Sequence, residues 1–374
     1  MAEATAFVTE PETQEHTLVV IFLRGGADGL NMVVPVEDDV YHRVRPLIGI
    51  SKSKALPLDD IFGLNPVLAP LMPLYKDGSL AIIHQAGCED ESRSHFEAQD
   101  LMEQGGKEAS GWLGRYLRFA PNVKGGPLSA IALNKTRPAC LWGAPSSLTM
   151  ESFDAFNVGD TPESFMPELA NLYALERNAL GRAGADALLA MDRVNDLRNQ
   201  VYSPSHGAIY PEGTFGGRLR QVAQMVKTRV GLEAVSVDLD GWDSHFATTT
   251  LMNPLMSQLA NGLAALKTDL GQDMDRVTVV VMTEFGRRVY QNVSFGTDHG
   301  RGSVMFVLGN DIAGGRVIHK WQGLEADYLE GPGDLGVEYN YRDVLAPILQ
   351  RHGGVESMET VFPDFPSSPV AMYG

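Results

Sequence analysis

Cysteine is nearly absent. Cys88 and Cys140 are the only two in 374 residues, so at most one disulfide can form and no Cys-rich zinc motif exists. Long apolar runs are missing too: stretches such as VTVVVM at 277–282 fall far short of the roughly 20 residues that a membrane helix needs. No integral membrane segment is expected. Positive charge is scarce, with 30 Lys and Arg against 47 Asp and Glu and a formal charge of -17. No window clusters the basic residues that neutralising a phosphate backbone requires, so nucleic acid is not an expected partner. Nucleotide signatures are lacking as well. RGGADG at 24–29 has the wrong spacing for G-x-G-x-x-G, and no G-x-x-x-x-G-K-[ST] occurs, which argues against dinucleotide and P-loop sites. Nor is there a G-x-S-x-G elbow of the α/β-hydrolase kind.

What is present is a chain with 44% hydrophobic residues, enough to fill a sizeable core. The polar start, MAEATAFVTEPETQEH at 1–16, has no basic region followed by an apolar one. It reads as a flexible lead-in, not as a signal peptide. TLVVIFL at 17–23 is a β-branched and aromatic run stopped by glycines, as a buried parallel strand should be. NPVLAPLMPLYKDG at 65–78 reads as a helix and SLAIIHQAG at 79–87 as the next strand. Weak strands are expected near 128–133 and 140–142, then a helical tract over 162–200 in which Leu188, Met191, Val194 and Leu197 face a core. YSPSHGAIYPEGTFGG at 202–217 reads as a long loop.

Further strands follow at AVSVDL (234–239), VTVVVM (277–282) and SVMFVLG (303–309), with helical spacing at Leu255, Leu259, Leu263 and Leu266 and a last helix at YRDVLAPILQRHG (341–353). The expected organisation is a single α/β domain over 17–374 with a mostly helical middle insertion around 140–215. Its sheet should be open, largely parallel and covered on both faces.

Such sheets place ligands outside the carboxyl ends of their strands, and the polar clusters fall there. RGGADG, CEDESRSHFEAQ, DGWDSH and TEFGR each follow a strand, and GTDHG at 296–300 lies in the next loop. Asp243, His245, Glu284, Asp298 and His299 thereby converge. Mixed imidazole and carboxylate donors suit Zn²⁺, Mn²⁺ or Fe. SRSHFEAQ at 92–99 reads as a helix N-terminus with Ser92 or Ser94 able to cap it. His95 is then a base, a ligand or a partly buried surface residue. Arg24, Arg93 and Arg287 lie beside these loops, and their guanidinium forks match a tetrahedral oxyanion. A Ser94, His299, Asp298 triad is a minor alternative, because adjacent Asp and His side chains rarely orient one another.

The motifs VVIFLRGGADGLN, SRSHFEAQ, GWDSH, TEFGR and GTDHG, in this order, resemble the bacterial family known as domain of unknown function 1501, grouped with the alkaline phosphatase-like superfamily. The resemblance runs from about residue 17 to about 350. It implies a three-layer α/β/α sandwich and a metal-dependent hydrolase or transferase acting on a phosphate or sulfate ester. His299, Asp243 and His245 would be ligands and Ser94 the nucleophile; His95 and Arg287, read from the residues themselves, are the other catalytic candidates. Asp298 would either share the ligation or orient an imidazole.

The chain also departs from the superfamily pattern. Arg24 stands where an aspartate commonly follows the first strand, leaving Asp28 as the metal carboxylate there, and Glu284-Phe285 stands where Asp-His is common. Both changes favour one divalent ion over two. No C-x-P-x-R or S-x-P-x-R occurs, which disfavours a formylglycine sulfatase. The implied partner is a small anionic ester or glycan. A non-catalytic binding or surface-associated protein with a degraded metal site, recognising an anionic glycan, is the alternative. Many relatives carry a twin-arginine export signal, so the resemblance implies a periplasmic or secreted location. The oligomeric state is not legible.

Overall fold

The computed structural model describes residues 16–156 and 165–374. The lead-in before His16 and, at 162–164, the front of the expected helical tract lie outside the described residues. The main sheet is built from β1 (Thr17–Arg24), β2 (Leu80–Gly87), β3 (Ala130–Leu133), β4 (Leu148–Met150), β5 (Ala234–Asp240), β6 (Val277–Met282), β7 (Ser303–Leu308), β8 (Arg316–Ile318) and β9 (Tyr339–Asn340). Their spatial order is β8-β2-β7-β6-β1-β5-β3-β4, with β9 also paired to β2.

β1 lies at the centre, parallel to both β5 and β6. It reads as an unbroken apolar run because both its faces are covered. Val19, Ile21 and Leu23 enter one apolar cluster while Leu18, Val20 and Phe22 enter another. The principal helices are α1 (His95–Gln104), α2 (Trp112–Phe119), α3 (Ala179–Asn199), α4 (Thr214–Lys227), α5 (Thr248–Leu270) and α6 (Tyr341–Gly353). α4 and α5 cover the first cluster with Leu219, Val222, Leu259 and Leu263. α2 and α6 cover the second with Leu113, Tyr116, Val344 and Ile348. The architecture is therefore an α/β/α sandwich with a largely parallel sheet.

One strand runs the other way. β7 is antiparallel to both β2 and β6, so its first residue sits at the carboxyl edge of its neighbours. The segment from Thr283 to Gly302 consequently stays on that one edge, and this places His299 beside the strand-end residues.

Several expectations need correction. Residues 65–78 do not form one helix: a 3-10 turn (Pro66–Leu71) precedes a short α-helix (Met72–Lys76). Pro66, Pro70 and Pro73 lack the N–H donors that a continuous helix would use. The stretch near 140–142 is a 3-10 turn (Ala139–Leu141), and the strand comes later, at β4. α4 already begins at Thr214, inside the expected loop. In α3, Val194 and Leu197 are buried whereas Leu188 and Met191 are half-buried. Cys88 and Cys140 are both free and buried. No helix among the described residues is long and apolar enough to cross a membrane.

Candidate metal centre

Four segments meet at the carboxyl edge. After β5 the chain reads GWDSH and alternates. Trp242 (1% exposed) and Ser244 (3%) point inward, so Asp243 and His245 are left facing out. The Trp242 N–H donates to the Arg24 carbonyl (3.0 Å), tying this loop to the end of β1. Gly25 makes the approach possible. Its φ is +122°, and a Cβ there would stand 2.3 Å from the Asp243 nitrogen, so any side chain would push the two loops apart.

The TDHG loop is fixed in the same manner. His299 pairs with Arg287 in an isolated bridge, and the Gly300 N–H donates to the Gly286 carbonyl (2.9 Å). A Cβ on Gly300 would lie 2.5 Å from the Arg287 carbonyl carbon.

His95, Asp243 and His299 each offer an atom within 4.8 Å of the others. The orientation of the rings is the informative feature. His95 Nδ1 faces Glu284 Oε1 (2.8 Å), His299 Nδ1 faces the Arg93 carbonyl (2.8 Å), and His245 Nδ1 faces Asp298 Oδ1 (3.2 Å). All three partners are pure acceptors when the carboxylates are ionised, so each Nδ1 carries the proton and donates. Each ring, when neutral, is then left with a lone pair on Nε2, and these point inward. His245 Nε2 and His299 Nε2 stand 2.9 Å apart. Asp243 Oδ1 is 3.2 Å from the first and 3.3 Å from the second, and Asp243 Oδ2 is 3.4 Å from His95 Nε2. His95 Nε2 is buried and has no hydrogen-bond partner. Converging lone pairs repel unless a cation or protons lie among them.

The electrostatics favour charged carboxylates here. Burial pushes the Asp243 carboxyl up, but the Arg287 guanidinium (2.8 Å), with His299 and His95 adding to it, brings it down to about 2. Burial also raises Glu284, and bonds from His95, Gln99 and the Gly25 N–H outweigh it and lower it. His95 is raised, chiefly through its bond to Glu284. His299 is lowered by burial and by the nearby Arg287 charge, so it resists becoming cationic.

Not every expected site residue joins this group. Asp28 is turned to the buried Arg45 (2.7 Å), with which it forms an ion pair. Glu284 is enclosed and spends one carboxylate oxygen on His95, Gln99 and Gly25. Asp298 orients the ring of His245 and not that of its neighbour His299. Ser94 is the N-cap of α1, but its side chain makes no capping hydrogen bond.

The oxyanion clamp of three arginines is corrected. Arg287 is 2% exposed and donates to the carbonyls of Gly25, Gly26, Trp242 and Thr297 as well as to Asp243. It positions Asp243 and cannot reach a substrate. Arg24 is held by Asp238, Gln99 and Glu103, and Arg93 by Asp334. The sequence reading missed Gln99, which lies in SRSHFEAQ one turn beyond His95; its position four residues after His95 was the available signal. It also left Phe285 without a role. That ring packs against both His95 (4.8 Å between centroids) and His299 (4.9 Å).

A family model described as "Protein of unknown function (DUF1501)" matches residues 84–363. The chain belongs to this family. The match takes in every segment of the site except Gly25 and its flanking residues on the first loop. No curated protein matches this DUF1501 chain. Among solved structures it is similar to Ps i-CgsB in complex with k-i-k-neocarrahexaose, at 12% identity and a TM-score of 0.39, covering 94% of this chain and 74% of that one. It is also similar to a 2-O GAG sulfatase (11%, TM-score 0.37, 96% and 76% covered). A third is the PH0037 protein from Pyrococcus horikoshii (8%, TM-score 0.33, 92% and 98% covered).

Proposed function

We propose that this chain is a metal-dependent hydrolase or transferase of a phosphate or sulfate ester, with one divalent ion among His95, Asp243 and His299 and with His245 beside them. The observation that carries the reading is the common orientation of three imidazoles, each Nδ1 tied outward to an acceptor and each Nε2 turned inward beside Asp243. Metal-binding histidines are held in this way, because the outer bond fixes the tautomer that leaves the ligating lone pair free. The donor set suits Zn²⁺, Mn²⁺ or Fe. When bound, such an ion supplies Lewis acidity that polarises an ester oxygen and lowers the pKa of a hydroxyl.

The chain's own residues do the rest. Glu284, Asp298 and the Arg93 carbonyl hold the rings, and Arg287 holds Asp243. Phe285 occupies the side where the resembled superfamily commonly has a histidine, in keeping with one ion. Ser94, its hydroxyl not spent on a cap and its neighbours both touching the site, is the proposed nucleophile.

The test is metal analysis of protein purified without chelator, followed by turnover of aryl phosphate and aryl sulfate with Mn²⁺ or Zn²⁺ added. The expected result is about one ion per chain, lost in His299→Ala, and turnover lost in Ser94→Ala with metal retained. Absence of both metal and turnover would overturn the reading. The engagement of Arg24, Arg93 and Arg287 by protein groups draws them away from stabilising the charge of a transition state and favours a second reading, a non-catalytic binding or surface-associated protein on the same scaffold with a degraded metal site. An empty site in a fully stable protein, with no turnover of either ester, would support it.

A further inference from the structure

The metal centre is polar, and the residues next to it in the chain are not. Phe96, adjacent to His95, is 84% exposed, and Phe246, adjacent to His245, is 61% exposed. Phe295 (53%) and Val293 (98%) stand out from the loop that leads to Asp298 and His299. Single apolar side chains at a surface are ordinary, whereas several gathered in one place mark a binding surface. These are gathered. The Ala247 N–H donates to the Ser294 carbonyl (3.0 Å) and the Thr248 N–H to the Phe295 carbonyl (2.9 Å), so Phe246 and Phe295 sit on adjoining stretches of backbone. Phe96 joins them through its neighbour, because the rings of His95 and His245 both pack on His299, with centroids 4.4 and 4.6 Å from it.

Strained backbone carries this surface. Phe295 has φ +59°, and Ala247, directly after Phe246, has φ +45°. Residues with a Cβ rarely adopt that left-handed region, and such outliers cluster at ligand sites. Asn292 ties the strained turn to the centre. Its Oδ1 accepts from the Ser294 and Gly296 N–H groups (2.9 and 3.0 Å), and its Nδ2 donates to the His245 carbonyl (2.8 Å) and to Asp298 Oδ1 (3.3 Å). The carboxylate oxygen that orients His245 is thus bonded to the residue that shapes the Phe295 turn. Phenyl rings offer no donor or acceptor to hydroxyls, and they are stabilised when apolar area covers them. A ligand of two halves fits such a place, with an anionic group at the imidazoles and an apolar group on the rings.

We infer that Phe246 and Phe295, together with Phe96, form the binding surface for the organic half of the ester, and that this half is an apolar or aryl group and not a sugar. The inference rests on the proposed ester chemistry for the anionic half of the ligand, and the apolar half is tested without it.

The experiment is ligand-observed NMR on the full chain with Zn²⁺ added, using phenylphosphonate, methylphosphonate, D-glucose 6-phosphate and uncharged benzyl alcohol as probes. Phenylphosphonate should bind about tenfold or more tighter than methylphosphonate and the sugar phosphate, as covering a phenyl ring on apolar surface requires. That preference should vanish in a Phe246→Ser, Phe295→Asn double variant, with methylphosphonate binding unchanged. Both rings are exposed and asparagine tolerates a left-handed φ, so the variant should fold; where it does not, the wild-type comparison of the two phosphonates decides alone. Equal affinity for the two phosphonates, tightest binding of the sugar phosphate, or a preference retained in the folded variant would overturn the apolar surface and leave the centre standing. Benzyl alcohol bound saturably by the wild type and lost in the variant, with neither phosphonate bound, would sustain the surface and overturn the anionic centre. No binding of any probe would overturn both.

Discussion

Two sets of histidines in this molecule have the same side chain and opposite surroundings. His16, His84 and His352 are enclosed, and their outward-facing nitrogens already have partners. His16 and His352 stack with ring centroids 3.2 Å apart at the amino end of the sheet. His16 Nε2 meets the Thr278 hydroxyl (3.0 Å) and His352 Nε2 the Tyr373 hydroxyl (3.1 Å). His84 uses Nε2 on the Val33 carbonyl and accepts the Gln85 N–H at Nδ1. Burial pushes His16 down to about 2, and His84 and His352 to about 4, so all three are held neutral. His95, His245 and His299, at the opposite edge, have acceptors behind them and lone pairs in front. A histidine is made structural or ligand-ready by which of its two nitrogens the fold satisfies.

The largest expected effect separates the two sets directly. His299→Ala should weaken Zn²⁺ or Mn²⁺ binding, measured by isothermal titration, by more than the roughly 10–100-fold typical of changes to outer-shell partners. His352→Gln should leave it unchanged, and equal losses in both variants would erase the distinction.

The enclosed set should instead govern acid stability. For His84 the folded-state pKa lies below the unfolded value, so the unfolded chain takes up the proton first. The stability it preserves is present above about pH 6.5 and is lost as the pH falls toward about 4. For a shift from 6.5 to about 4 that loss is roughly 3 kcal/mol. Urea unfolding between pH 7 and pH 4 should show wild type losing that much more than His84→Gln; parallel curves would deny His84 this role.

Asp298→Asn should weaken the metal by about tenfold through the loosened His245 ring, with little change in unfolding free energy. A metal affinity equal to wild type would mean that His245 stands outside the centre.

The smallest effect is at α1. Ser94→Ala should leave unfolding free energy within about 0.5 kcal/mol, because that hydroxyl caps nothing. Asn340→Ala should cost about 1 kcal/mol, since the Asn340 side chain accepts from the Arg342 N–H (3.1 Å). A similar cost at both positions, in paired chemical denaturation, would show that the Ser94 hydroxyl is committed to the helix.

Much of the fold was legible because burial on both faces leaves a continuous apolar run. β1, β5, β6 and β7 could be found that way, and α6 was bounded by its own pattern. The prolines at 66, 70 and 73 carried the signal against a helix at 65–78, and it was outweighed by apolar spacing. In the site, GWDSH and GTDHG were recognisable as a pair of imidazole loops, yet the partner of each ring was not. Asp298 stands next to His299 in sequence and serves His245 in space. Arg287 read as a substrate clamp, but four carbonyl oxygens and one carboxylate enclose its guanidinium.

The sequence by itself determined the layered architecture and the edge on which the chemistry gathers. Both follow from local periodicity and from where polar residues interrupt apolar strands. Only the tertiary structure decided which acceptor stands behind each imidazole and which arginines are consumed. Those are contacts between residues as far as 262 positions apart, and hydrogen-bond direction depends on a few tenths of an ångström that no spacing along the chain encodes.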